Sequence, residues 1–401
     1  MPNTADCVIV GGGVMGCAIA YNLAKQGLKP LIIEKSDIGG EASGSNGGGV
    51  RQSARNLKEM PLAMESIRMY GHLREELEMD VEYVREGNLR LCTKEEEIAA
   101  MEKAVENQKG VGLKLEMLDR KQVLEINPYV GEKVIGASFC PTDGHANPFL
   151  VTYAFFRKAK ALGARFCTHE TVTDIRLRKG RVFAVTTDKQ VIETDLVVNA
   201  AGVAGRKVAN MVGLDLPMKP VFSEALITES YQPLFKQMVG HAKGLFYGRQ
   251  TVHGSFFWGG FVGTEEYLYR DGKPLFNYIG PAISRSVLDF FPALKDLHVI
   301  RMWSGLIAMM SDGIPVLGLT PEVPGFVFAT GFSGHGFGLA PVIGRLISEV
   351  IMDCETSIPI NDFCYGRFGS GAEEDCACQG DVACVAETAV CPYKRKWLES
   401  I

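Results

Sequence analysis

Apolar residues fall into two patterns along this chain. Short unbroken apolar runs occur at Cys7-Val8-Ile9-Val10, Leu31-Ile32-Ile33, Val197-Val198 and Phe326-Val327-Phe328-Ala329. Runs of that length next to glycine or polar breaks predict buried strands. Elsewhere the spacing is helical. Leu62, Ile67, Tyr70, Leu73 and Leu77 predict helix over 57–79. Further helices are expected at 94–110, with Thr93 as cap and Glu96 at the third position, and at 119–126, 149–162, 283–290 and 342–352. Residues 171–196 read as a small antiparallel meander turning at Gly180. Residues 221–270 are richer in aromatics and alternation, as in Phe256-Phe257-Trp258, and read as a separate antiparallel sheet.

The first apolar run leads into Gly11-Gly12-Gly13-Val14-Met15-Gly16, a helix-forming stretch, the second run and then Glu34. The glycines have G-x-G-x-x-G spacing, and Glu34 comes 18 residues after the last of them. Each has a mechanical use in dinucleotide binding: Gly11 for the tight turn, Gly13 for approach of a pyrophosphate, Gly16 for helix–strand packing, and the acid for ribose hydroxyls. Strand, glycines, helix, strand and acid coincide, so a nucleotide is expected with its pyrophosphate on the helix N-terminus. The Gly/Ser-rich stretch from Lys35 to Gln52 reads as a loop along an extended ligand rather than a packed element. A second strand–glycine–helix unit closes the pattern at Gly331-Phe332-Ser333-Gly334-His335-Gly336-Phe337-Gly338.

Composition narrows the class without changing it. The 401 residues are 46% apolar and 22% charged, with a net charge of −5, so nothing favours nucleic acid or an anionic membrane surface. No run approaches the ~18 apolar residues of a membrane span. The start lacks a basic n-region, and a cytoplasmic location is expected. Six of the 11 cysteines crowd the last fifty residues. Cys376, Cys378, Cys384 and Cys391 are candidate ligands for an iron–sulfur cluster or zinc, although their spacing matches no established ligand pattern. A partner-docking or unstructured tail is the competing reading.

Together the opening motif with Glu34, the Ala42 to Arg51 loop, Asp143-Gly144-His145-Ala146-Asn147-Pro148, Arg301-Met302-Trp303-Ser304-Gly305 and Gly331 to Phe337 resemble the D-amino-acid oxidase-like FAD oxidoreductases. The likeness is strongest to the β subunits of sarcosine oxidase and proline dehydrogenase, with hydrogen cyanide synthase also similar. The resemblance implies an α/β (α+β overall) fold: a discontinuous Rossmann-like FAD-binding domain over 1–85, 145–220 and 300–365, a mainly antiparallel substrate domain over 86–144 and 221–299, and a Cys-rich tail over 366–401. It also implies oxidation of the C–N bond of a small amino acid (proline, sarcosine, glycine or D-amino acid type) to an imine, with hydride passing to FAD. The chain would be the catalytic β subunit of a hetero-oligomer with iron–sulfur or FAD-containing partners. A stand-alone glycine or D-amino-acid oxidase using O₂, and a flavin-binding subunit with a degenerate substrate site, are the alternatives.

By position, Gly11, Gly13, Val14, Met15 and Gly16 would hold the pyrophosphate, and Glu34 with Lys35 the ribose end. Ser43, Gly44, Asn46, Gly47 and Gly48 would line the flavin, and Val172 would meet adenine. Ala201 and Gly202 would pass the diphosphate. Gly331, Gly334, His335, Gly336, Phe337 and Gly338 would face the ring edge. Leu306 to Met310 holds no thiol for a covalent link, so FAD is expected to be non-covalent. Gly338 stands where relatives carry a carboxylate-binding lysine. Arg51 is then the expected carboxylate clamp, against a plain surface ion pair. His335 reads as a flavin or substrate contact or a cap, Trp303 as substrate wall or core, and Tyr247 as a substrate contact or core.

Overall fold

The computed structural model describes residues 3–260, 269–270, 273–274 and 279–368. The unbroken apolar runs lie side by side in one six-stranded sheet. Its order is Val316–Leu319, Phe326–Thr330, Val197–Asn199, Cys7–Val10, Pro30–Ile33 and Arg165–Cys167. All neighbours are parallel except the edge strand Val316–Leu319. Both faces are covered, which is why the runs do not alternate. Cys7, Ile9, Ile32, Val198 and Val327 join a core with the helices Val14–Lys25, Pro148–Ala161 and Gly336–Ile351. Val8, Val10, Leu31, Ile33, Val197 and Phe326 face the other way. They pack under the meander Val172–Arg178, Arg181–Thr187 and Val191–Glu193. Mixed α/β structure of this kind is what the pattern predicts.

The second sheet has eight strands. Its order is Val299–Met310, Met218–Ser230, Ser255–Gly260, Tyr247–Gln250, Met238–His241, Asn88–Cys92, Gly136–Cys140 and Glu116–Asp119. Only Met238–His241 and Asn88–Cys92 run parallel. One face packs Leu89, Leu91, Leu226, Phe256 and Trp258 against Ile283, Val287 and Phe290 of the helix Ile279–Phe290. Buried on this side, Glu224 is 2% exposed with both oxygens unpartnered, and burial pushes it up to about 7. The other face turns Asn88, Tyr247, Phe257 and Trp303 toward the 43–55 loop.

Several elements differ from expectation, among them the 57–79 helix, which is split into Met60–Tyr70 and Leu73–Leu77. Residues 300–310, expected with the nucleotide-binding strands, belong to Val299–Met310 and pair with Met218–Ser230 from Met218↔Met310 to Thr228↔Val299. The expected boundary lies between residues 299 and 300, at the start of this strand, and the strand's pairing carries the whole of it into the second sheet. The last helix begins at Gly336, six residues before the expected start, with Pro341 inside it. Proline cannot donate to the carbonyl four residues back, and the Tyr70 hydroxyl donates to that carbonyl, Phe337 O, at 2.8 Å. The helix Glu95–Gly110 caps one residue later than expected: Glu97, not Glu96, reaches back to Thr93 N (2.7 Å) and Oγ1 (3.2 Å).

Candidate functional site

The opening glycines are packed as a phosphate cradle requires. Gly11 has φ +109°, and a Cβ there would lie 2.5 Å from Ala200 O. A Cβ on Gly16 would lie 2.0 Å from Gly11 O, and one on Gly13 2.9 Å from Ser43 Oγ. Gly13 ends the strand side without a side-chain cap, and no acid enters the first turn of Val14–Lys25. Ser43 Oγ accepts from Val14 N at 2.9 Å, which ties the second loop to the first. Glu34, 8% exposed, accepts from Gly12 N (2.7 Å), Ser36 N (2.9 Å) and Ser36 Oγ (3.0 Å). The carboxylate is thereby aimed beside the glycine turn.

The 42–55 segment is more ordered than its composition suggests. Ala42–Ser45 forms one helical turn, contrary to the unpacked loop expected there. Asn46 spends its amide on Ala42 O (3.0 Å) and Ser43 O (2.9 Å), and its oxygen accepts from Gly48 N (2.8 Å). A Cβ on Gly44 would meet Gly39 O at 2.6 Å. On Gly47 it would meet the Phe257 ring at 2.4 Å and Tyr247 at 2.9 Å, and on Gly48 Ala146 O at 2.0 Å. Trp303 Nε1 donates to Ser45 O at 2.9 Å, so the indole anchors this segment to the second sheet. Arg249 does the same from Nε to Gly47 O (2.8 Å). His145 is buried neutral: burial and then Arg249 pull it down to about 3, and Nε2 reaches Lys236 O at 3.2 Å. Asp143, fully buried, accepts from Gln52 N (2.8 Å), Ser53 N (3.4 Å) and Asn88 Nδ2 (3.4 Å), and from Ser53 Oγ.

The second glycine turn carries charge. Gly331, Ser333 and Gly334 all have left-handed φ (73°, 49° and 87°). His335 is the N-cap of Gly336–Ile351 without a side-chain cap, and that first turn too holds no acid. The His335 imidazole instead meets Glu59, with Nδ1 3.0 Å from Oε2. Glu59 is fully buried, and its Oε1 has no partner. Burial alone would push this carboxyl up; the charges of His335, Arg55 and Arg51 outweigh it and hold Glu59 below 4.5. Burial pulls His335 below its ordinary value, with Glu59 opposing.

Two arginines complete the cluster. Arg51 Nη1 donates to Ser53 O (2.6 Å) and Ala54 O (2.8 Å). Arg55, 1% exposed, donates from Nε to Arg51 O (2.7 Å) and reaches His335 O at 3.4 Å. Burial pulls Arg55 down to about 10, with Glu59 opposing. Gly338 explains the arrangement: a Cβ there would stand 2.8 Å from Arg55 Nη2. The space a longer side chain would need is filled by the Arg55 guanidinium.

A family model described as FAD dependent oxidoreductase matches residues 6–350. The chain belongs to this FAD-dependent oxidoreductase family. A subunit of opine oxidase from Rhizobium meliloti is 30% identical over 370 residues, spanning 86% of this chain and 95% of that relative. Glycine oxidase of Bacillus subtilis is 28% identical over 368 residues, spanning 88% and 94%. The solved structure of L-proline dehydrogenase from P. horikoshii superposes with a TM-score of 0.83 at 30% identity, spanning 92% and 98%. The chain is thus an FAD-dependent oxidoreductase of the kind that acts on amino-acid-type substrates. The residues present fit that cofactor: two uncapped helix starts, each preceded by glycines, lie at the two ends of the 42–55 segment's contacts.

Within this FAD-dependent oxidoreductase the sequence-derived candidates divide. Arg51 and His335 come together through Glu59 and Arg55, and Tyr247 faces the same loop. Burial pushes the Tyr247 phenol up, with a hydrogen bond to Ser223 and the Arg51 charge opposing. Lys35 instead pairs at 2.7 Å with Glu41, and both side chains are about half exposed. Val172 is 7% exposed in the meander, opposite Thr187. Ala201 and Gly202 follow the strand Val197–Asn199 next to Gly11, as the adjacency of Gly11 to Ala200 and Ala201 shows. Cys376, Cys378, Cys384 and Cys391 lie outside the described residues. No cluster able to hold a metal occurs among the described residues, and no described helix is long and apolar enough to cross a membrane. Arg55 and Glu59 were missed from sequence. The four-residue spacing of Arg51, Arg55 and Glu59 just after the glycine-rich loop was the available signal.

Proposed function

We propose that this protein oxidises the C–N bond of a small amino acid to an imine, as the catalytic subunit of a hetero-oligomeric dehydrogenase. The observation that carries the reading is the Arg51 guanidinium. Backbone carbonyls orient its Nη1, and it makes no ion pair with a carboxylate among the described residues. A cation held that way is preorganised for a substrate carboxylate. Bound non-covalently, FAD supplies the two-electron acceptor for the hydride that leaves the substrate carbon. Trp303 and Arg249 fix the loop beneath the substrate, and the Glu59–His335 pair fixes the start of the second helix. The amine's proton leaves to solvent, and no residue of the cluster is asked to abstract it. Similarity to an opine oxidase subunit supports the hetero-oligomeric role. Similarity to glycine oxidase favours a second reading, a stand-alone oxidase reducing O₂.

Anaerobic titration of the purified flavoprotein with a panel of amino acids tests the activity. Loss of the visible flavin absorption with at least one member is expected; none bleaching it overturns the reading. Stoichiometric H₂O₂ release in air by the isolated chain would replace the dehydrogenase reading by the oxidase one. Arg51→Ala should raise the dissociation constant of the active amino acid roughly 10- to 100-fold and leave FAD content unchanged. Unaltered affinity would remove Arg51 from the substrate site.

A further inference from the structure

Among the described residues, Arg90 on the inner face of the eight-stranded sheet is a cation left without an acid of its own. It lies mid-strand, opposite Ser138 on one side and Gly240 on the other. Its neighbours on the same face are accounted for. Asn88 donates to Ser53 Oγ (3.2 Å) and Asp143 Oδ2 (3.4 Å), and Cys92 packs with Met60 and Ala242. Arg90 has no such acceptor: its Nε is sealed from solvent with no hydrogen-bond partner, and it makes no ion pair among the described residues. The nearby acid, Asp143, is already saturated by the donors of Gln52, Ser53 and Asn88.

The direction in which this guanidinium reaches is set by a glycine. A Cβ on Gly240 would lie 3.4 Å from Arg90 Nη1 and 3.5 Å from Tyr247 Cβ. The missing side chain lets Arg90 lean across the neighbouring strand toward Tyr247. Arg51 lies on the same side: it donates to Ser53 O at 2.6 Å, while Asn88, two residues before Arg90, holds the Ser53 hydroxyl. Burial pulls Arg90 down to about 10, with the Arg51 charge adding to the effect, yet at neutral pH the group remains a cation. Both guanidiniums are only partly buried, and two cations without an ion pair on one face, around a saturated acid, create a local demand for anions.

We propose that Arg90 is the receptor for a second carboxylate, so that the substrates this site prefers are amino dicarboxylates. One carboxylate is taken by Arg51 and the other by Arg90, with the reacting C–N bond held between two fixed points. The planar fork of a guanidinium suits each end. This deepens, and rests on, the amino-acid reading above.

The test uses the FAD-loaded full chain and two unreactive probes, glutarate and butyrate, whose binding is followed by perturbation of the flavin spectrum. Glutarate should bind at least about tenfold more tightly than butyrate, consistent with one added charge-assisted contact. Arg90→Met and Arg90→Gln should both abolish that preference and leave butyrate affinity and FAD content unchanged. Iminodiacetate against sarcosine, and glutamate against 2-aminobutyrate, then tell whether the second carboxylate is borne through nitrogen or through carbon. Equal binding of the two probes to the unmodified protein overturns the proposal. So does a variant that keeps the preference, or one that weakens both probes alike, which would mark a packing role. If the preference depends on Arg90 but no amino acid bleaches the flavin, the receptor stands and the amino-acid oxidation falls.

Discussion

The two glycine-rich helix starts solve the same problem by different means. At Gly11–Gly16 the geometry is fixed by backbone against backbone: the missing Cβ atoms of Gly11 and Gly16 would collide with Ala200 O and Gly11 O. At Gly331–Gly338 it is fixed by charges. Glu59, His335, Arg55 and Arg51 meet around the first turn, and Tyr70 repairs the carbonyl that Pro341 leaves free. The first start is a rigid cradle whose one nearby charge, Glu34, is tied to the Gly12 backbone. The second gathers several charged side chains around its first turn. A fold can therefore fix one helix start by shape and another by charge.

That contrast makes graded predictions. The largest loss is expected from Gly16→Ala. Its Cβ would meet a carbonyl oxygen that cannot move, so stability should fall by about 3 kcal/mol or more and FAD content with it. Flavin-to-protein absorbance ratio and thermal denaturation measure both; a holoprotein of unchanged Tm would show that backbone contact is not what fixes this end. Next comes Glu59→Gln, which keeps the shape and removes the charge that opposes Arg55, Arg51 and His335. A loss of about 2–4 kcal/mol is expected at neutral pH. Because Glu59 is held below 4.5 in the folded protein, its contribution is present above that pH and is lost as pH falls through the folded value. The gap to the unmodified protein should therefore narrow as pH falls below 4.5, and a gap independent of pH would mean that charge plays no part.

Tyr70→Phe should cost about 1–2 kcal/mol in chemical denaturation, since it leaves Phe337 O buried without a donor. No loss would mean that water replaces the hydroxyl. Ser43→Ala should be the mildest, at about 0.5–1 kcal/mol, because Val14 N loses a neutral acceptor near an exposed loop. A larger loss of FAD than of stability would reveal that Ser43 also steadies the ligand.

How far the sequence could be read follows the same division. The first cradle was legible because its signal is local: glycine spacing, two apolar runs and Glu34 lie within about thirty residues, and each has a single mechanical use. Arg51 and His335 were legible as isolated candidates. Their connection was not, because Glu59 and Arg55 meet His335 across some 280 residues of chain, and no period or motif encodes such a meeting. The meaning of Gly338 was likewise hidden. Read along the chain it is a lost lysine; in three dimensions it is the space Arg55 occupies. The 300–310 stretch was misplaced because a strand that crosses from one core to another has no compositional seam.

That strand has a mechanical consequence. Val299–Met310 and Met218–Ser230 form one antiparallel ribbon about 40 Å long by the usual rise per residue. Its Met218 and Met310 end is embedded in the core beneath the meander, and Leu226 and Met302 are embedded in the core under the second sheet. A ribbon shared in this way acts as a splint. The two sheets cannot swing apart without unzipping it. For the same reason heat or denaturant should take both sheets down in a single cooperative transition.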